Sequence, residues 1–114
     1  MDNYKVVLVD DEVEVIDAIE QRIHWDILGF EVVGSATNGV KALELVEKQQ
    51  PDVVITDIKM PYMDGLELAR RLNKEYQNIH IIIFTGFDEF EYAKEAVHLE
   101  VEEYMLKPIN ALEL

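Results

Sequence analysis

The sequence of 114 residues contains no cysteine, which excludes disulfide scaffolds, thiolate zinc sites and cysteine nucleophiles. Its five glycines and three prolines are too few for a linker or a low-complexity region. Its apolar runs, such as residues 6–9 and 81–84, are only a few residues long, whereas a membrane-spanning helix needs about 18 or more. These absences predict one small domain with a modest core and no membrane span.

Basic residues are also scarce, with 10 Lys and Arg against 24 Asp and Glu and a formal net charge of −14. A surface of this sign repels phosphate backbones, so we expect no direct contact of this chain with nucleic acid. Cations and other proteins are the expected ligands. The N-terminal stretch MDNYKVVLVDDE lacks the basic and then apolar layout of a secretory signal, so the sequence predicts a cytoplasmic location.

Short apolar runs alternate along the chain with segments whose apolar residues recur every three or four positions. The runs lie at residues 5–9, 31–36, 53–56, 79–85 and 103–106. They predict five buried strands, and the segments between them predict four amphipathic helices, the first with Ile16, Ile19, Ile23 and Ile27 on its apolar face. Strict alternation with short connections predicts an α/β fold, a doubly wound parallel sheet with helices on both faces. Residues 110–114 are too few for a stable helix, so we expect the fifth helix to be largely missing.

Polar residues follow the predicted strands at their carboxyl ends, where doubly wound sheets bind their ligands. These residues are Asp10, Asp11, Asp57, Thr85 and Lys107. If the first and third strands are neighbours, the three aspartates converge, and like charges that close need a counter-charge. Oxygen ligands without cysteine or a nearby histidine favour Mg²⁺, which often keeps several waters and also binds phosphate.

The central position of Asp57 makes its carboxylate the candidate nucleophile, because carboxylates form aspartyl-phosphate intermediates. Mg²⁺, the Lys107 ammonium and the Thr85 hydroxyl would then stabilise the charge on the phosphoryl oxygens. Each residue taken singly is more often a solvated loop residue or a structural one. Five of them at one edge of a single sheet favour phosphoryl chemistry.

Four segments of the chain resemble the receiver domain of two-component response regulators. They are VLVDDE at 7–12, DIKMPYMDG at 57–65, FTGFDEFEYAKEAV at 84–97 and EYMLKP at 103–108. Each segment is weak alone, but their order and spacing are specific, and the resemblance covers almost the whole chain. It implies a flavodoxin-like sheet with strand order 2-1-3-4-5. It also implies that residues 1–114 form one receiver domain and that an output domain is absent from this chain.

The resemblance assigns a role to each residue at the carboxyl edge. Asp57 is implied to be the phosphoacceptor, and Asp10 and Asp11 are implied to bind Mg²⁺ with it and with the backbone carbonyl of Lys59. This set would place the metal beside the phosphoryl group, where it can neutralise developing charge.

The remaining implied roles concern switching. Thr85 would contact the phosphoryl group and act with the aromatic residue Tyr104 as a conformational switch. Lys107 would pair with the phosphoryl group, and Pro108 would take a cis peptide bond that fixes the approach of the lysine. Phosphorylation would then favour one of two pre-existing conformations.

The resemblance also implies partners. The phosphodonor would be a histidine on a separate sensor histidine kinase, so the chain is not expected to be an enzyme that turns over a separate substrate. The segments HWDILGFEVVG at 24–34 and GFDEFEYAKEAV at 86–97 resemble receivers joined to AraC-type helix-turn-helix output domains, which implies transcription regulation. Two copies in this family often pair on activation, so a homodimer is one expected state.

Three alternatives compete with this interpretation. A phosphatase of the haloacid-dehalogenase type needs a second Asp two residues after its nucleophile, and Lys59 occupies that position. A flavin carrier of the flavodoxin type needs a Ser-, Thr- or Gly-rich phosphate loop after the first strand, where Asp10 and Asp11 would repel the flavin phosphate. A phosphorylation-independent, receiver-like interaction module stays open, although every site position holds a competent residue type.

Overall fold

The structure, a computed structural model, describes residues 3–76, 78–85 and 103–106. In chain order its elements are β1 (Tyr4–Val9), α1 (Val13–Arg22), β2 (Phe30–Ala36), α2 (Gly39–Gln49), β3 (Val53–Thr56), α3 (Gly65–Glu75), β4 (His80–Thr85) and β5 (Glu103–Leu106). All five predicted strands are present within one residue of their predicted bounds. The expected fourth helix and the expectation of a missing fifth helix fall on residues outside the described ranges.

The strands form one parallel sheet in the order β2-β1-β3-β4-β5, as the resemblance implied. Val9 at the end of β1 lies opposite Ala36 in β2 and Thr56 in β3, so these three strands end level with one another. The residues that follow them therefore leave the sheet side by side. None of the helices in the described part of the chain combines the length and apolar character that crossing a bilayer requires.

Side chains of the central strands alternate between two apolar layers, as the two-residue period of a strand requires. Val7, Val9 and Val54 point to one layer, where they pack with residues of α2 and α3 such as Val46 and Leu72. The other layer joins the opposite faces of the same strands to α1. Its buried members are Val6, Leu8, Ile16, Ile19, Ile23, Trp25 and Ile55. Burial on both faces explains why the strands are continuously apolar rather than alternating.

The ends of α2 and α3 are defined by local hydrogen bonds. The side chain of Asn38 accepts from the backbone N–H of Lys41 at 2.9 Å, and that of Asp64 accepts from the N–H of Glu67 at 2.8 Å. Both are N-caps, which satisfy amides that have no partner within the helix. At the other end of α2, Gln50 takes the left-handed conformation with φ 47° and donates its N–H to the Val46 carbonyl.

The prediction for the first helix was wrong at its C-terminal end. The helix ends at Arg22, and Ile27, which fits its apolar spacing, lies beyond it with 78% of its surface exposed. Trp25 is buried instead, and its ring meets that of Phe30 edge to face with centroids 6.4 Å apart. The two aromatic rings cover the edge of the core. The helix ends before Trp25, and the chain that follows it places both rings there.

Candidate functional site

Two buried aspartates stand where the two central strands leave the sheet. Asp10 follows β1 and is 2% exposed, and Asp57 follows β3 and is 6% exposed. The backbone N–H of Asp57 donates to the carbonyl of Val9 at 2.9 Å, and that of Asp10 donates to the carbonyl of Ala36 at 3.1 Å. The parallel ladder is thus extended by one residue, which holds both aspartates at the carboxyl edge of the sheet.

Backbone amides orient both carboxylates. The Oδ1 atom of Asp57 accepts from the N–H of Ile58 at 2.7 Å, and the Oδ1 atom of Asp10 accepts from the N–H of Glu12 at 2.9 Å. Aspartate often binds nearby amides in this way at turns. Burial of two carboxylates at one edge is unfavourable in itself, and hydrogen bonds to the charged form or a bound cation can offset that cost.

A third feature of this edge is an acidic cluster formed by Asp10, Asp11 and Glu12. One carboxylate oxygen from each of these residues lies within 4.8 Å of the others, and Asp11 and Glu12 are exposed while Asp10 is buried. Three carboxylates that close repel one another. An all-oxygen donor set that is open to solvent on one side suits a hard cation such as Mg²⁺, which keeps several of its waters. The residues therefore fit a magnesium site.

The acidic cluster differs in one member from the set predicted for the metal. It contains Glu12, to which the sequence interpretation gave no role, and it does not contain Asp57. The position of Glu12 directly after two aspartates could have drawn attention to it. Asp57 shares the edge with the acidic cluster through the backbone hydrogen bond to Val9, and its role as a metal ligand stays a prediction.

The loop after β3, residues 57–64, is held at both ends. At its start, the Thr56 hydroxyl donates to the carbonyl oxygen of Asp57 at 2.9 Å. At its end, the N–H of Gly65 donates back to the carbonyl of Ile58 at 2.7 Å. Lys59, whose backbone carbonyl was predicted to bind the metal, lies in this loop and is exposed.

The other predicted site residues lie at the edge of what the structure describes. Thr85 is the last residue of β4 and lies opposite Leu106 in β5, which places its backbone at the carboxyl edge. Tyr104 lies in β5 opposite Ile83. Lys107 and Pro108 lie outside the described residues, so their roles stay predictions. The switch role of Thr85 and Tyr104 also stays a prediction.

Fold and site together define a doubly wound α/β domain with a buried aspartate at the end of each central strand and an acidic cluster beside them. Comparison with known proteins agrees with this class. The family model described as "Response regulator receiver domain" matches residues 6–114. The chain therefore belongs to the family of response regulator receiver domains, which receive signals in two-component systems.

Curated relatives include transcriptional regulators. The chain is 46% identical over 107 residues to the uncharacterized transcriptional regulatory protein YesN of Bacillus subtilis, covering 94% of this chain and 29% of YesN. It is 36% identical over 111 residues to the transcriptional regulatory protein HptR of Staphylococcus aureus, covering 97% of this chain and 43% of HptR. The chain thus spans less than half the length of these relatives.

Solved structures agree in fold. The receiver domain of AraT, a response regulator from Geobacillus stearothermophilus, matches with a TM-score of 0.89 and 41% identity, covering 96% of this chain and 85% of that one. A two-component transcriptional regulator AraC from Clostridium phytofermentans matches with a TM-score of 0.87 and 33% identity, covering 97% and 86%. These matches confirm the flavodoxin-like fold inferred from the resemblance.

Proposed function

We propose that Asp57 accepts a phosphoryl group from the phosphohistidine of a sensor histidine kinase in a reaction that requires Mg²⁺. The observation that carries this proposal is the buried, amide-oriented carboxylate of Asp57 at the end of β3, beside the acidic cluster that follows β1. A carboxylate in this place is protected from bulk water on its protein side and faces the ligand edge of the sheet.

The reaction would be a direct transfer. A carboxylate oxygen of Asp57 attacks the phosphorus, a P–O bond forms, the P–N bond to the imidazole breaks, and the imidazole leaves with the electron pair and gains a proton. Positioning and charge stabilisation supply most of the catalysis in phosphoryl transfer. The hydrogen bond from Ile58 to Oδ1 orients the nucleophile before the donor arrives.

The metal would be held by Asp10, Asp11, Asp57 and the backbone carbonyl of Lys59. When bound, Mg²⁺ neutralises charge on the phosphoryl oxygens and on the carboxylates. The closeness of three acidic oxygens around Asp10 supports this assignment, because the cluster lowers its own repulsion by binding a cation. Glu12 adds negative charge at the rim of this site.

The remaining residues complete the proposed cycle. Thr85 and Lys107 bind the phosphoryl group, and Tyr104 reports its presence by changing position with Thr85. Pro108 fixes the approach of Lys107. The place of Thr85 at the end of β4 and of Tyr104 in the neighbouring strand β5 supports the proposed coupling.

The output is proposed to be control of transcription. Residues 1–114 would act as the receiver domain of a longer cytoplasmic protein, whose AraC-type helix-turn-helix domain would contact DNA while the receiver would not. The partial coverage of YesN and HptR and the similarity to AraT and AraC support this arrangement. We also propose pairing of two receivers on activation and no turnover of a separate substrate.

The test is incubation with acetyl phosphate and Mg²⁺ followed by intact mass measurement. We expect one added phosphoryl group on the wild-type chain and on Asp17→Asn, which removes an exposed aspartate of α1. We expect none on Asp57→Asn and none when the metal is chelated. Equal phosphorylation of Asp57→Asn would contradict the assignment, and no adduct on the wild type would favour the phosphorylation-independent module.

A further inference from the structure

We infer that Thr56 and Gly65 are positioning residues for the phosphoacceptor, and that they act through the backbone carbonyl of Asp57 rather than through its side chain. The inference rests on the proposed function, since it concerns the reactivity of Asp57. It assigns a role to two residues that touch neither the phosphoryl group nor the metal in the proposed site.

The first observation is a hydrogen bond to the backbone carbonyl of the nucleophile Asp57. The Thr56 hydroxyl donates to the carbonyl oxygen of Asp57 at 2.9 Å, and Thr56 is fully buried. The hydroxyl gives this carbonyl a hydrogen bond, which a carbonyl of a buried residue requires. A hydrocarbon side chain of the same shape could not do so.

The second observation is the close approach of Gly65 to the same carbonyl. A Cβ atom built on Gly65 would lie 1.9 Å from the Asp57 carbonyl oxygen and 2.8 Å from its carbonyl carbon. These are backbone atoms, so they cannot rotate away as a flexible side chain can. Any side chain at residue 65 therefore requires the Asp57 peptide or the start of α3 to move.

Both contacts involve the same carbonyl group, that of Asp57. Thr56 binds the Asp57 carbonyl oxygen from β3, and Gly65, the first residue of α3, packs against that oxygen and closes the loop with its hydrogen bond to Ile58. The Ile58 amide in turn binds the Asp57 carboxylate. The position of the carboxylate is thus determined by the contacts of its own backbone.

Loss of these contacts should slow the phosphorylation of Asp57. Displacement of a reacting group by about 1 Å can slow a reaction up to about 100-fold, because the reacting atoms lose their alignment. Loss of positioning lowers the maximal rate of phosphorylation, while the donor concentration that gives half of that rate changes little. Loss of global stability alone changes neither quantity at a temperature where the protein is fully folded.

The decisive test uses two substitutions at Thr56 that separate hydrogen bonding from stability. Thr56→Val keeps the shape and loses the hydroxyl, whereas Thr56→Ser keeps the hydroxyl and loses a buried methyl group. We expect Thr56→Ser to be less stable to urea but to keep the wild-type maximal rate with acetyl phosphate at saturating Mg²⁺. We expect Thr56→Val to be slower by about threefold or more. Rates that follow stability instead of the hydroxyl would overturn the inference.

Gly65→Ala is the stronger perturbation, and Gly34→Ala is its matched control. A Cβ at Gly34 would lie 2.9 Å from the end of the flexible Leu45 side chain, on the edge strand and away from the loop after β3. We expect Gly65→Ala to lower the maximal rate about tenfold or more and Gly34→Ala to leave it within about twofold. An unchanged rate in Gly65→Ala would overturn the inference, and if this variant does not fold, the Thr56 pair decides.

The wild-type chain and Asp57→Asn complete the experiment. If the wild type gains no phosphoryl group on Asp57, the proposed function fails and the inference falls with it. If the wild type is phosphorylated on Asp57 but the Thr56 and Gly65 variants react at its rate, the inference alone fails.

Discussion

The two ends of the sheet differ in the type of residue that lies there. All buried polar residues among those described lie at the carboxyl end, namely Asp10, Asn38, Thr56 and Asp57. At the amino end, Trp25 and Phe30 cover the edge of the core, and the Tyr4 ring lies tilted by 43° against that of Phe30, with ring centroids 5.9 Å apart. One end therefore buries apolar surface, and the other buries charge.

Charge at the amino end serves the fold. The Asp52 side chain accepts from the backbone N–H of Lys5 at 2.8 Å, and the Asp52 backbone bonds both Lys5 and His80. This aspartate joins the beginnings of β1, β3 and β4. At the carboxyl end, by contrast, Asp10 lies among like charges. The same residue type joins strands at one end and lies among like charges at the other, an arrangement in which a site can lower stability.

The largest expected effect is at the amino end. Trp25→Ala removes a buried ring from the layer under α1 and should lower the free energy of unfolding by about 3–5 kcal/mol. The phosphorylation rate of the folded protein should not change, because the ring lies at the opposite end from Asp57. Urea denaturation and acetyl phosphate kinetics measure the two quantities.

Trp25→Phe is the matched control for this substitution. The indole Nε1 of Trp25 is buried and has no hydrogen-bond partner among the described residues, so replacing the indole removes no polar contact seen there. We expect a loss of less than about 1.5 kcal/mol. A phosphorylation rate that falls in Trp25→Phe would break the proposed separation between the two ends.

The next largest effect is that of Asp10→Asn on the free energy of unfolding relative to the wild type, and its sign should reverse when Mg²⁺ is added. Without metal, Asp10→Asn should raise the free energy of unfolding by about 1 kcal/mol, because it removes repulsion from Asp11 and Glu12 and keeps the acceptor for the Glu12 amide. With Mg²⁺ at about 100 times its Kd, the wild type should gain about 2.7 kcal/mol, and Asp10→Asn should gain much less.

Asp52→Asn provides the comparison at the amino end. It keeps an acceptor for the Lys5 amide, so we expect a change below about 0.5 kcal/mol and a wild-type response to Mg²⁺. Urea denaturation with and without chelator measures the stability of both variants in both states. Destabilisation of metal-free Asp10→Asn would show that the carboxylate supports the fold after all.

Sequence patterns predicted the fold well because they depend on short-range periods. The five apolar runs give the strands, and the polar residues directly after the first and third runs are Asp10 and Asp57. The strand order came from the resemblance to receiver domains and not from the periods. Ile27 shows where the pattern fails: it fits the helical spacing, but burial of Trp25 and Phe30 ends the helix earlier.

The parts of the site that could not be predicted depend on contacts between distant segments. Gly65 reads in the sequence only as the start of a helix, and its approach to the Asp57 carbonyl becomes visible only when α3 is placed against the end of β3. Thr56 reads as an ordinary buried strand residue. Glu12, by contrast, directly follows Asp10 and Asp11, so its membership of the acidic cluster could have been predicted from the sequence.

The smallest effects concern two residues in the left-handed backbone region, one near each end of the sheet. Gln50 has φ 47° at the end of α2, and Tyr62 has φ 69° in the loop after Asp57, with its side chain 88% exposed. Glycine relieves strain of about 1–2 kcal/mol in this region but adds entropy to the unfolded chain. Gln50→Gly and Tyr62→Gly should each change the free energy of unfolding by less than about 1 kcal/mol.

The two substitutions should differ in their effect on phosphorylation. Tyr62→Gly loosens the loop that carries Asp57 and should lower its maximal phosphorylation rate about twofold, whereas Gln50→Gly should leave that rate unchanged. Tyr62→Asn is the control, because asparagine tolerates the left-handed region without the mobility of glycine, so its rate should stay near that of the wild type. Equal slowing by Gln50→Gly would mean that loop order near Asp57 is not what limits the reaction, and that the two ends of the sheet are coupled through α2.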